Sequence, residues 1–239
     1  MNRPAAFTLA AALALLARAP GAAAPVEPAA QRAAREGMAR LIAGEGVRDS
    51  AVLEAMRAVP RHEFVLAADR GRAYGDHPLP IGLGQTISQP YIVAFMTEAV
   101  GARRGIKVLE VGTGSGYQAA ILSRIGCTVR TIEIFRELAD QARGRLARLG
   151  FGDITVRHGD GHFGWPEAAP FDAILVTAAA GFVPPELVRE LRPGGRMVIP
   201  VGSVYGVQTL ILVEKDGSGE VRTRHLLPVR FVPMLSKPR

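Results

Sequence analysis

The sequence is poor in two residue types that often dominate the chemistry of a protein. It contains a single cysteine, Cys127, which excludes an internal disulfide framework and a cysteine-based metal cluster. Its only lysines are Lys107, Lys215 and Lys237, so arginine carries most of the net charge of +7. The arginines are scattered along the chain, whereas a nucleic-acid-binding surface would cluster them. The composition therefore does not indicate a nucleic-acid partner.

Long apolar runs and metal-ligand spacings are also missing. The longest apolar run, residues 5–17, is shorter than the roughly 20 residues that a membrane-spanning helix needs. The five histidines have no ligand-like spacing, so we predict no metal site. With 239 residues, 48% of them hydrophobic, the chain is long enough for one large domain or two small ones with a substantial buried core.

The first 23 residues have the layout of a secretory signal peptide. Arg3 precedes the apolar run, and small residues follow it, which predicts cleavage after Ala23. The alternative is an alanine-rich tail or a misplaced start codon. Residues 24–30 have the composition of a linker, and we expect residues 31–239 to form one domain.

Residues 31–104 and 105–239 differ in pattern. The first region begins with two predicted helices over residues 31–59 and continues as a loop-rich stretch in which prolines exclude long helices. The second alternates short apolar runs with helical stretches, which predicts an α/β fold with a doubly wound, mostly parallel sheet. Its last apolar runs lie on either side of a KDGSG turn, with no helix between them. They therefore predict antiparallel strands at the edge of the sheet.

A glycine-rich turn directly follows KVLEV, the first predicted strand of this core. Gly112, Gly114 and Gly116 can adopt positive φ and let a ligand approach the backbone, and the next helix N-terminus adds partial positive charge. The G-x-G-x-G spacing is one residue shorter than the dinucleotide fingerprint, and Glu110 would repel a pyrophosphate. S-adenosylmethionine has no phosphate and carries an ammonium and a sulfonium. The pattern therefore favours S-adenosylmethionine over a nicotinamide cofactor.

Two further carboxylates end the next two predicted strands. Glu133, followed by Ile134, stands where an acidic residue accepts hydrogen bonds from ribose hydroxyls. Asp160, followed by Gly161, stands where a carboxylate and a backbone N–H can reach the adenine edge. Acidic residues at the ends of three successive strands strengthen the prediction of a nucleoside-containing cofactor.

Several segments, taken together, resemble the protein-L-isoaspartate O-methyltransferase family. They are VPRHEFV, PLPIGLGQTISQPYIVAFMTE, VLEVGTGSGYQAAIL, GDGHFGWPEAAPFDAILVTAAA, LRPGGRMVIPVG and VRFVPM. The resemblance covers the chain from about residue 31 and implies a Rossmann-like fold of the class I methyltransferase type, with an N-terminal helical extension. Met234 replaces a common leucine of the family. The leader departs further, because the family is cytoplasmic and the leader indicates export.

The resemblance implies methyl transfer from S-adenosylmethionine to the α-carboxylate of L-isoaspartyl residues in damaged proteins and peptides. It places Gln85, Thr86, Ile87 and Ser88 over the cofactor, with Ile87 and Ser88 also against the substrate and Ser88 as the residue that matters for activity. The acceptor carboxylate is already ionised at neutral pH, so alignment can replace a general base. The methyl ester then closes to a succinimide without the enzyme. We expect a monomer.

Several alternatives stay open at this point. Thr86 and Ser88 have a purely structural alternative to a role in binding, in which their side chains cap the helix that starts near Pro90. The chain would be another adenosylmethionine-dependent methyltransferase if its substrate were RNA or a small molecule. A nicotinamide-dependent oxidoreductase and a non-catalytic cofactor-binding module are the two readings outside methyl transfer.

Overall fold

The computed structural model describes residues 28–203 and 205–236, so the predicted leader lies outside the described residues. The helices in these ranges are α1 (Ala29–Gly44), α2 (Ser50–Ala58), α3 (Pro90–Ala99), α4 (Tyr117–Ile125), α5 (Arg136–Arg148) and α6 (Pro185–Glu190). The strands are β1 (Leu79–Gly82), β2 (Gln85–Ile87), β3 (Lys107–Val111), β4 (Thr128–Glu133), β5 (Thr155–His158), β6 (Phe171–Val176), β7 (Leu191–Val201), β8 (Gln208–Lys215) and β9 (Val221–Val229). None of the described helices is long and apolar enough to cross a membrane.

Seven strands form one sheet in the order β5-β4-β3-β6-β7-β8-β9. The five strands from β5 to β7 are parallel to their neighbours, whereas β8 pairs antiparallel with β7 and β9 antiparallel with β8. The predicted doubly wound sheet and its antiparallel edge are confirmed. From β3 the chain proceeds outward through β4 and β5, then returns to build β6 and β7 on the other side. This reversal creates a topological switch point at β3, where open α/β sheets bind ligands.

The central strand β3 divides the core between the two faces of the sheet. Val108 belongs to a cluster with side chains of α1 to α5, while Leu109 and Val111 belong to a second cluster that includes Leu187 of α6. Full burial of a side chain of this size contributes about 1.5–3 kcal/mol to the stability of the folded state. A strand that is covered on both faces must therefore be apolar over nearly its whole length. Glu110 is a buried ionisable residue within that strand, and its presence there needs a separate explanation.

Arg61 fastens the N-terminal region to the core. Its fully buried Nε donates to the carbonyl of Ala73 at 2.8 Å, and its guanidinium lies 5.0 Å from the ring centroid of Tyr117 in α4. Phe64 packs edge-on against the same ring at 5.4 Å. Burial lowers the pKa of Arg61 to about 10, which still leaves the group charged at neutral pH. Residues 31–104 thus share one hydrophobic cluster with the sheet.

The stretch before α3 is a hairpin and not the loop that its glycines and prolines suggest. Strands β1 and β2 pair antiparallel around Leu83 and Gly84, whose φ angles are 52° and 70°. Two successive residues with positive φ match the twist of a tight two-residue hairpin. Prolines exclude a helix there, but they are tolerated in a short edge strand.

Two element boundaries also differ from the predicted ones. Helix α1 begins at Ala29, inside the predicted linker. The run PPELVRELRPGG predicts a single helix up to its last glycine, but α6 ends at Glu190 and the RPGG residues are not helical. Those residues lie in β7, where the register against β6 shifts between Leu191 and Arg196. The glycines fit this bulge, which disrupts the ladder locally.

Candidate active site

A pocket opens at the carboxyl ends of β3, β4 and β6, beside the switch point. Its volume is about 770 Å³, including the open mouth. The parallel strands deliver their ends to one edge of the sheet, and the β1–β2 hairpin covers the opening. Ten of the eleven residues predicted to bind the cofactor line this pocket: Gln85, Thr86, Ile87, Ser88, Glu110, Gly112, Gly114, Glu133, Ile134 and Gly161. Their individual roles stay predictions.

Backbone forms much of the pocket floor. The φ angles are 101° at Gly112, 51° at Gly114 and 90° at Gly116. Residues other than glycine rarely adopt such positive values, because their Cβ clashes with the backbone. A Cβ on Gly112 would clash with the Thr177 hydroxyl, which donates to the Gly112 carbonyl at 2.7 Å. A Cβ on Gly161 would clash with the side chain of Val111. Glycine at these two positions is therefore required by close packing against Thr177 and Val111.

Glu133 joins the end of β4 to the glycine turn. Its Oε2 accepts a hydrogen bond from the Gly114 N–H at 2.8 Å, and its Oε1 accepts one from the Phe135 N–H at 3.0 Å. The carboxylate is buried, yet each oxygen has a second lone pair for a hydroxyl donor. Glu133 can therefore hold the turn in place and still bind a diol.

Glu110 is a fully buried carboxyl group with one oxygen unsatisfied. Its Oε2 accepts from the Thr131 hydroxyl at 2.5 Å, and that hydroxyl lies 2.6 Å from the hydroxyl of Thr113. Oε1 has no hydrogen-bond partner among the described residues. Burial raises the pKa of Glu110 to about 8; the Thr131 hydrogen bond opposes this shift and the charge of Glu133 adds to it. A cationic ligand group would supply the missing partner.

Asp160 is the predicted cofactor residue that does not line the pocket. Its Oδ1 accepts a hydrogen bond from the backbone N–H of His162 at 2.9 Å and caps the short 3-10 helix Gly161–Phe163. The Nδ1 of His162 lies 3.0 Å from the same oxygen and 3.0 Å from the Ser236 hydroxyl. Because the carboxylate is directed into this turn, its contact with adenine stays a prediction.

The half-buried Ser88 lies between the hairpin and α3, with its hydroxyl free of hydrogen-bond partners among the described residues. The N-cap of α3 is Gln89, whose side chain makes no capping bond, so the interpretation of Thr86 and Ser88 as caps is wrong. Asp76 caps the helix instead, because its Oδ1 accepts from the Tyr91 N–H at 2.8 Å. Ser88 lies between the end of β2 and the start of α3, and its hydroxyl is available to a ligand.

The C-terminal segment supplies a wall of the pocket that sequence reasoning did not assign. Residues 232–235 line the pocket because hydrogen bonds hold them against the end of β6. The Ala179 N–H donates to the Val232 carbonyl, and the Met234 N–H donates to the Ala179 carbonyl, both at 2.8 Å. The resemblance of VRFVPM to the family was the only sequence signal for this segment. Other lining residues without a predicted role include Ser115, Tyr117, Gln118, Phe135 and Thr177.

A second cavity of about 990 Å³, which we call the β9 groove, adjoins the pocket. Thr86, Ser88, Thr177 and Val232 line both cavities. The remaining residues of the β9 groove are Pro78, Gln89, Ile92, Val207, Pro228, Val229, Arg230 and Phe231. Ser88 therefore stands at the junction of a polar, glycine-floored pocket and a mostly apolar groove.

Comparison with known proteins agrees with this geometry. The family profile described as protein-L-isoaspartate(D-aspartate) O-methyltransferase matches residues 33–239. A protein-L-isoaspartate O-methyltransferase 2 from Syntrophobacter fumaroxidans is 59% identical over 191 residues, which are 80% of this chain and 77% of that protein.

Solved structures show the same fold. A protein-L-isoaspartate O-methyltransferase superimposes with a TM-score of 0.77 at 29% identity, over 84% of this chain and 66% of that one. A Plasmodium falciparum protein of the same description, in complex with S-adenosyl-L-homocysteine, gives a TM-score of 0.73 at 24% identity, over 84% and 98%. The chain belongs to the protein-L-isoaspartate (D-aspartate) O-methyltransferase family.

Proposed function

We propose that this protein transfers a methyl group from S-adenosylmethionine to the α-carboxylate of L-isoaspartyl residues in damaged proteins and peptides. Membership of the family supports the reaction. The observation that carries the site assignment is the junction at Ser88, where the cofactor pocket and the β9 groove meet. Such a junction lets a donor and a polypeptide acceptor enter from opposite sides and meet at one point.

The chemistry of the pocket fits the cofactor. The unsatisfied Oε1 of buried Glu110 suits the ammonium of the methionine portion, and the carboxylate of Glu133 suits the ribose diol. When bound, the cofactor supplies an electrophilic methyl group carried on a sulfonium. The G-x-G-x-G spacing of the turn departs from the dinucleotide fingerprint, which counts against an oxidoreductase.

The acceptor needs positioning and not activation. An α-carboxylate with a reference pKa near ~3.5 is ionised at neutral pH, so no general base has to remove a proton. In the proposed arrangement Ile87 and the Ser88 hydroxyl would hold one carboxylate oxygen and leave the other directed toward the methyl group that a bound cofactor would supply. Alignment of this kind contributes up to about 7–11 kcal/mol in favourable cases. The resulting ester closes spontaneously to a succinimide.

A methyl-transfer assay with matched substrates tests the proposal. One peptide is made in an L-isoaspartyl and an L-aspartyl version, and both are incubated with S-adenosylmethionine labelled in the methyl group. We expect label in the isoaspartyl version alone. Equal labelling of both versions would contradict the proposal, and labelling of RNA instead would favour a different methyltransferase. Cofactor binding without any transfer would indicate a non-catalytic module.

We further propose a cytoplasmic monomer, because the reaction uses a cytosolic cofactor. Export remains the alternative that the leader indicates. The intact mass of the protein from its natural host distinguishes the two: a chain that begins near Ala24 indicates export, and one that begins at Met1 or Asn2 indicates retention. Sedimentation at several protein concentrations tests the monomer.

A further inference from the structure

Arg230 is the only charged residue among those that line the β9 groove. It is exposed, and no acidic side chain of the described residues lies within ion-pair distance of it. Its neighbours in the groove are largely apolar, including Ile92, Val207 and Phe231. An unpaired guanidinium beside an apolar wall attracts an anion more strongly than one surrounded by water, because the wall displaces part of the screening solvent.

The anion that Arg230 would bind is not the reacting carboxylate. Ser88 and Thr177 line both cavities, so the methyl acceptor must reach the junction that they form. Arg230 lines the groove but not the cofactor pocket. A client polypeptide whose isoaspartyl residue sits at the junction must continue through the groove. The group that meets Arg230 therefore belongs to a different residue of the client.

We infer that Arg230 is a specificity-determining residue, which binds an acidic side chain close in sequence to the isoaspartyl residue of the client. This inference rests on the proposed function and adds a substrate preference to it. The adjacent edge strand β9 supports it, since Arg222, Arg224 and His225 are all exposed there. Only Arg222 forms a described ion pair, at 3.4 Å from Glu220, so the exposed edge of β9 is largely basic. Acidic clients fit this charge.

Matched isoaspartyl peptides test the preference. The two peptides of a pair differ at a single position, which holds Glu in one peptide and Gln in the other. Successive pairs place this difference at each position from three residues before to three residues after the isoaspartyl residue. We expect KM to be about three- to fivefold lower for Glu at the favoured position, with kcat unchanged, as for a partly exposed ion pair. Arg230→Gln should remove this difference while leaving the KM of the Gln peptide unchanged. Raising the salt concentration should shrink the difference in the wild type.

Two variants serve as controls. Arg224→Gln removes an equal charge from β9 outside the groove and should retain the preference. Arg230→Glu should reverse the preference toward peptides that carry Lys at the favoured position. The inference is overturned if no position shows a preference, if Arg230→Gln retains it, or if Arg230→Gln raises KM equally for both peptides. If the wild type methylates none of the isoaspartyl peptides, the proposed function itself fails.

Discussion

The carboxylate of Asp76 accepts a hydrogen bond from the backbone N–H of Tyr91 at 2.8 Å, across fifteen residues of chain. Its other oxygen accepts from the side-chain amide of Gln89 at 2.6 Å. Asp76 thereby performs the capping that the N-cap residue of α3 does not perform. Ser88 immediately precedes Gln89, so we expect Asp76 to help position the hydroxyl of Ser88.

We expect Asp76→Ala to lower both stability and turnover. Loss of the cap should reduce the free energy of unfolding by about 0.5–2 kcal/mol, and displacement of Ser88 should lower kcat. Urea denaturation and the isoaspartyl peptide assay measure the two effects. Asp140→Ala is the matched control, because the exposed Asp140 pairs only with Arg143. Normal kcat in a destabilised Asp76→Ala protein would show that Ser88 does not depend on this cap.

Ser88→Ala should lower kcat without lowering stability. A hydrogen bond to a charged group contributes roughly 1.5–3 kcal/mol, which corresponds to about a 10- to 150-fold loss of rate. The free energy of unfolding should change by less than about 0.5 kcal/mol, since the hydroxyl has no described partner to lose. The affinity for S-adenosylmethionine should stay nearly constant. Ser123→Ala, on the exposed side of α4, is the control. Full activity of the Ser88→Ala protein would remove Ser88 from the mechanism.

Glu133→Ala should weaken the binding of S-adenosylmethionine by about 1.5–3 kcal/mol, because a charge-assisted contact to the ribose is lost. The substitution also releases the N–H groups of Gly114 and Phe135, so the melting temperature should fall as well. Calorimetry well below that melting temperature isolates the binding effect. The exposed Glu137 on α5 provides the control Glu137→Ala. Unchanged affinity in a folded Glu133→Ala protein would refute the ribose assignment.

Binding of S-adenosylmethionine should release a proton from Glu110. The pKa of this carboxyl is raised to about 8, so it is mostly protonated in the free protein at pH 6.5. An ammonium beside Oε1 stabilises the ionised form, and about one proton should leave on binding at that pH. The release should decline toward zero above pH 9. Calorimetry in buffers with different ionisation enthalpies measures it. Proton release that persists in Glu110→Gln would assign the effect to another group.

The same group should make the stability of the cofactor-free protein depend on pH. Its pKa of about 8 in the folded state exceeds the ordinary value of 4.5, so between these two pH values the folded state binds more protons than the unfolded state. Stability should therefore fall as pH rises from about 4.5 to 8. Glu110→Gln should remove this loss, so the variant should gain relative to the wild type from pH 5 to pH 9. A constant difference across that range would contradict the shifted pKa.

Local patterns in the sequence were sufficient to predict the sheet and the centre of the pocket. The glycine turn is contiguous with its strand, and its spacing and the nearby Glu110 argued for one cofactor class over another. Glu133 was readable for a similar reason, since parallel strands bring their carboxyl ends to one edge of the sheet. The N-cap of α2 is equally local: Asp49 accepts from the Ala51 N–H at 2.8 Å. The glycine turn and the α2 cap each depend on residues within a few positions of one another, whereas Glu133 lies 19 residues from its partner Gly114 and was readable through the pattern of parallel strands.

Only the tertiary structure decided the walls and the mouth of the site. The cap of α3 comes from Asp76, residues 232–235 reach the pocket through Ala179, and Arg230 enters the groove at the end of β9. Oδ1 of Asp160 accepts a hydrogen bond within its own turn, and the contact of this carboxylate with adenine stays a prediction. Such contacts join residues that are distant in sequence or depend on a side-chain orientation. No periodicity or spacing encodes them, because they exist only after the sheet has brought its edges together.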